Sequence, residues 1–173
     1  MTRATDRDLL DMRISDVRRI SEAGQDHHVV LLHESESGRR LPIWIGREHA
    51  LELALRLLGH GPRLGRPLGS DLSARLVQTL GGTVPEVRID RLSEGTYYAV
   101  IVVNGPHGSA EVDARPSDAL ALAMVAGAPV RADRAVIEAS EADETVAEAL
   151  AAVDGPATVD GQALLDELAQ GSS

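Results

Sequence analysis

The sequence predicts an α+β fold: a mixed β-sheet with packed helices, built from an internally duplicated three-strand-plus-helix unit. Short runs of β-branched and apolar residues recur between clusters of Gly, Ser and Pro, the pattern of strands joined by turns. Segments with helical apolar spacing lie among them and stop at glycine. Residues 45–54 also lie over residues 114–123 at a constant offset of 69, with Ala50/Ala119, Leu51/Leu120, Leu53/Leu122 and Ala54/Ala123 identical. The same offset sets Leu31 on Val100 and Leu32 on Ile101. Both halves then read strand, strand, strand, helix.

The elements follow in order. Residues 1–10 read as a leader. Strand character runs over 12–20, 28–33 and 40–45, with a turn at Ser35-Glu36-Ser37-Gly38. Residues 47–58 form a helix ended by Gly59, and 59–69, rich in Gly, Pro and Arg, form a loop. Ser70 is placed to cap a second helix over 71–80, stopped by Gly81-Gly82. Three more strands over 84–92, 96–103 and 109–113 are separated by turns at Glu94-Gly95 and Gly105-Pro106. A helix over 116–126 ends at Gly127, and 130–137 reads as a last strand. Short surface helices are expected over 141–153 and 161–169. The organisation is thus a leader, a domain over 11–139 and an acidic, weakly packed tail over 140–173.

Two helices carry packing information. In the first, Leu51, Ala54, Leu55 and Leu58 form one apolar stripe while Leu53 and Leu57 face elsewhere, so the helix is expected to be covered on two sides. The second cover is another helix or another subunit, which predicts a homodimer or higher homo-oligomer. Residues 119–126 are apolar all round and rich in alanine, so that helix is expected at the centre, where small side chains let backbones approach.

Composition narrows the function. The chain has 173 residues, 43% of them apolar, enough for one core, and no cysteine, which excludes disulfides, thiolate metal sites and cysteine nucleophiles. The longest apolar run falls far short of the roughly 18–20 residues of a membrane span. The first residues lack a signal peptide's apolar stretch, so the cytoplasm is the expected compartment. The net charge is −10, but nine acids and no base fall in residues 138–173, which leaves 18 acids and 17 bases elsewhere. A nearly neutral body exerts no bulk pull on nucleic acid, and aromatic residues at 2% give almost no base-stacking platform. The six histidines lack metal-site spacing and read as structural or surface residues. No Gly-x-Ser-x-Gly motif and no phosphate-binding glycine loop occurs. Trp44, within a strand, reads as core.

The densest polar stretch, Asp113-Ala114-Arg115-Pro116-Ser117-Asp118, joins a strand end to a helix start. Pro116 suits the first helical position, and the free amides there, with Arg115, could hold a phosphate or carboxylate. Asp113 and Asp118 could bind a divalent cation. Alternatively, Asp118 caps the helix and pairs with Arg115. The loop with Arg63 and Arg66, leading into Ser70 and Asp71, is a second candidate anion site or a solvated connection.

Taken together, Leu41-Pro42-Ile43-Trp44-Ile45-Gly46, Arg66-Pro67 before Asp71-Leu72, Gly95-Thr96-Tyr97-Tyr98-Ala99 and residues 112–123 resemble the bifunctional nuclease family, over about residues 12–139. The resemblance implies an α+β fold, oligomerisation and a nuclease acting on DNA and RNA with low sequence specificity. A non-catalytic oligomeric binding or regulatory module on the same fold is the alternative. Within the nuclease reading, Asp113, Asp118 and Arg115 are the expected catalytic residues, Arg66, Ser117 and Asp71 contact substrate, and Asp113 and Asp118 hold a divalent metal such as Mg2+. Ser70 stands where the family commonly has histidine, so a metal-bound water is expected to take that group's part.

Overall fold

A computed structural model of the chain describes residues 8–22, 24–59 and 66–153. The expected helix over 161–169 and Arg63 lie outside the described residues. Strands β1 (Leu9–Glu22) and β2 (Gln25–Glu34) form an antiparallel hairpin, β3 (Arg40–Ile45) pairs with β2, and helix α1 (Arg47–Leu57) follows. Helix α2 (Gly69–Thr79) leads into a second set: β4 (Thr83–Ser93), β5 (Thr96–Gly105), β6 (Gly108–Ala114) and helix α3 (Pro116–Ala126). Strand β7 (Val130–Asp133) and helices α4 (Arg134–Glu141) and α5 (Glu144–Val153) complete the described elements. The sheet order is β3-β2-β1-β7-β4-β5-β6. Strand β7 lies between the two hairpins, antiparallel to β1 and parallel to β4, and this makes the sheet mixed.

The duplication is visible in the ladder. Helices α1 and α3 match over their whole length at the offset of 69, as do Pro42 on β3 and Glu111 on β6. Pro42 pairs with Leu31, and Glu111 pairs with Val102, so the equivalent of Leu31 is Val102 and the hairpin offset is 71. This corrects the Leu31/Val100 and Leu32/Ile101 alignment. The β2–β3 connection is two residues longer than the tight β5–β6 turn, where Gly105 pairs with Gly108.

One sheet face carries the core. Val30, Leu32, Leu41, Ile43, Val87, Ile89, Ala99 and Ile101 pack with Ala50 and Leu53 of α1 and with residues 119–123 of α3. Helix α3 touches α1, α2, β3, β4 and β5, the central place its alanines predict, and it stops at Gly127, whose φ of 65° suits a residue without a Cβ. The buried side of α1 is Ala50, Leu53 and Ala54, whereas Leu57 and Leu58 are exposed. Leu53 therefore faces this chain's own core, contrary to the stripe read from spacing. Helix α1 follows Gly46 and packs on β1, β2 and α3, and this orientation selects the buried turn positions.

Two further expectations are corrected. Residues 134–137 are helical, because Asp133 accepts a hydrogen bond from the Ala135 N–H (3.0 Å) and starts α4, whose Val136 and Ile137 are buried. Trp44 is 43% exposed, with its ring edge against His27, because it sits on the edge strand β3 and faces away from the core. Within residues 140–153, Ser140 is buried and bonded to the Tyr97 hydroxyl at 2.8 Å, Glu141 pairs with Arg39 at 2.8 Å, Val146 is buried, and Leu150 covers Val29 and Leu31 on the sheet's other face. Among the described residues, no helix is long and apolar enough to cross a membrane.

Replacing Leu53 with alanine should cost about 2–5 kcal/mol, the range for a fully buried leucine, and Leu57→Ala should stay within about 0.5–1 kcal/mol. Urea unfolding of the two variants checks the assignment of the α1 faces.

Candidate functional site at the start of two helices

The duplicated helices begin side by side. Gly46 precedes α1 and Arg115 precedes α3, and neither helix start receives a side-chain cap. His49 and Asp118 are each the third residue of their helix, at equivalent positions in the repeat. Their side chains meet, with His49 Nε2 2.8 Å from Asp118 Oδ1. Arg115 closes on the same carboxylate through Nε to Oδ2 (2.6 Å) and Nη2 to Oδ1 (3.2 Å). The cluster is open to solvent: the Arg115 side chain is 73% exposed and Asp118 43%. Partial burial pushes the Asp118 carboxyl up, but the hydrogen bonds from Arg115 and then His49 outweigh it and hold the group below the ordinary carboxylate range. The ionised carboxylate has no proton to give, so the imidazole donates from Nε2, and whenever the ring is neutral its lone pair is on Nδ1.

Asp113 does not join this cluster. On β6 it pairs with Val100 of β5, two residues beyond Glu111, whose carboxylate reaches Arg88 on the polar face of the sheet. Residues two apart on a strand share a face, so Asp113 points to that polar face while α3 packs against the opposite one. The polar face itself is an alternating charge ladder, Asp11–Arg131–Glu86–Arg88–Glu111, with Arg131 3.0 Å from both Asp11 and Glu86. Ser117 is buried in the first turn of α3. Arg66 is exposed just ahead of α2.

Asp71 belongs to a second cluster. Its carboxylate accepts from the Leu68 N–H at 3.0 Å and from Arg56 Nη2 at 3.1 Å. Arg56 also reaches Glu52 at 2.8 Å and Ser70 Oγ at 3.0 Å, and Ser70 donates to Glu52. Helix α2 therefore starts at Gly69, capped by Asp71, and Ser70 ties α2 to α1 instead of capping it. These side chains are largely buried, and removing one would strand the charges of the others.

The donors do not suit a divalent cation. Asp118 is the one carboxylate in the open cluster bonded to His49, and both its oxygens are already engaged by a bidentate guanidinium and the imidazole. Among the described residues, no three His, Asp or Glu side chains form a metal-ligand group.

Residues 30–145 match the bifunctional nuclease domain. The chain belongs to that family. Two uncharacterized proteins from two strains of Mycobacterium tuberculosis are similar to it, each 41% identical over 116 residues, which are 67% of this chain and 68% of theirs. Within this bifunctional nuclease domain the structure brings together Asp118 and Arg115 and adds His49, which the sequence reading placed among structural or surface histidines. The offset of 69 was the available signal, since it lays His49 on Asp118.

Because the Asp118 pKa is lowered by folding, its contribution to stability is present above the unfolded carboxyl value and disappears as pH falls through the folded one. Wild type should exceed Asp118→Asn in stability at neutral pH. The gap should narrow below about pH 4 and close further down, as measured by urea unfolding at stepped pH.

Proposed function

We propose that the protein is a nuclease that cleaves the phosphodiester backbone at the joint between α1 and α3. The observation that carries this is the solvent-open Arg115–Asp118–His49 cluster in a bifunctional nuclease domain. Each member has a part suited to phosphoryl chemistry. His49 takes a proton at Nδ1, Asp118 fixes the ring's tautomer and orientation, and Arg115 offers its remaining N–H groups to the phosphate. The two uncapped helix starts add positive potential where the anion would sit. A nearly neutral body and few aromatics fit weak, sequence-independent contact with substrate. In the same reading, copies of the chain associate through exposed leucines such as Leu57 on α1 with Leu58 just after it, and Leu72 and Leu76 on α2 with Leu80 just after it.

The test is cleavage of labelled RNA and DNA oligonucleotides by the purified full chain. His49→Ala and Asp118→Asn should each slow cleavage by about 100-fold or more, with thermal unfolding showing both variants still folded at the assay temperature. A wild-type protein with no cleavage, or variants that cleave as well as wild type, would overturn the proposal.

A further inference from the structure

We infer that Arg13, His33 and Arg40 form a second phosphate-binding subsite, on the face of the sheet turned away from the helices α1 and α3, and that its occupant is the sugar–phosphate backbone of a nucleic-acid strand. The site is read from the sheet alone, and the identity of its occupant rests on the nuclease reading.

The register places the three side chains in one row. Arg13 on β1 lies directly opposite His33 on β2, and His33 lies directly opposite Arg40 on β3. Directly opposed residues share a face, with Cβ atoms about 4.5–5.5 Å apart. Alternation along β2 fixes which face it is. Val30 and Leu32 enter the core beneath the helices, whereas Val29 and Leu31 meet Leu150 on the other side, and His33 follows Leu31 by two. Arg13 is exposed and His33 and Arg40 are partly exposed, so the row is open to solvent.

Like charges directly opposite one another across a sheet are destabilising, and the imidazole records that cost. Burial, then Arg13, then Arg40 hold His33 below the ordinary imidazole range, against an upward pull from Asp16 on β1. Among the described residues, Asp16 is the one carboxylate acting on this ring, and it is already engaged: it accepts from the Val17 N–H at 2.8 Å and pairs with Arg18 at 2.6 Å. An anion laid along the row supplies the compensation that Asp16 does not, and His33 gains a proton as the anion binds. The row crosses two strand spacings, about 10 Å, which is wider than one phosphate group and suits successive phosphates on a chain. The guanidinium forks at its two ends match phosphate oxygens.

The experiment follows the His33 ring by NMR in the full chain as pH is varied, its signal assigned by loss in His33→Gln. The chain is taken alone, with a short phosphorothioate oligodeoxynucleotide that resists cleavage, and with inorganic pyrophosphate. The expected result is a His33 pKa raised by the oligonucleotide. Arg13→Gln should weaken oligonucleotide binding about 10-fold or more and lower its salt slope by about one. The same variant without ligand should raise the His33 pKa, because a repelling charge has gone. A ring that answers to pyrophosphate and not to the oligonucleotide would overturn the choice of occupant. A ring indifferent to both, or to Arg13→Gln, would overturn the site. Neither result touches cleavage by His49→Ala and Asp118→Asn, so failure here and failure of the nuclease reading are separate outcomes.

Discussion

A helix buried on every side needs small side chains where other backbones pass, and α3 supplies them: Ala119, Ala121 and Ala123 are almost wholly inaccessible between α1, α2 and the sheet. Close approach of α1 and α3 is the constraint from which the site follows. The two helices are matched parts of a duplicated unit, so placing them together brings matched positions together. His49 and Asp118 meet because each is the third residue of its helix. Substituting larger residues in the alanine row would push the helices apart and separate the pair before any residue of the site was touched.

The same joint is held from the other end by charge. Arg56 on α1 ties together Glu52, Ser70 and Asp71, so α2 is fixed against α1 while α2 itself lies on α3. A largely buried set of this kind makes a modest net contribution to stability, yet breaking it is costly because the remaining charges lose their partners. Its consequence here is positional: three helices form one rigid layer over the sheet. Asp71 acts in that layer as a cap and an anchor.

The sheet-and-helix order was legible because its signals are local: turn residues, glycine stops and the proline at the start of α3. Residues 116–126 were readable to both ends for that reason. What failed depended on distant partners. Residues 134–137 carry strand-like side chains, but the Asp133 cap and burial of Val136 and Ile137 against the core make them helical. Trp44 is apolar within a strand, and nothing local tells that its strand lies at the sheet edge. Asp113 and Asp118 looked convergent across a tight turn, whereas strand alternation sends Asp113 to the face shared with Glu111, a point that period-two counting could have caught. His49 was invisible as a lone histidine and visible only through the repeat.

The central claim is that Asp118 fixes the tautomer of His49 across the repeat joint. The most direct measurement is the protonation pattern of the His49 ring by ¹⁵N NMR at neutral pH, in wild type and in Asp118→Asn. The account predicts that the neutral wild-type ring carries its proton on Nε2 with Nδ1 bare, and that this preference weakens when the carboxylate is replaced. A neutral ring protonated on Nδ1, or a spectrum indifferent to Asp118, would contradict it.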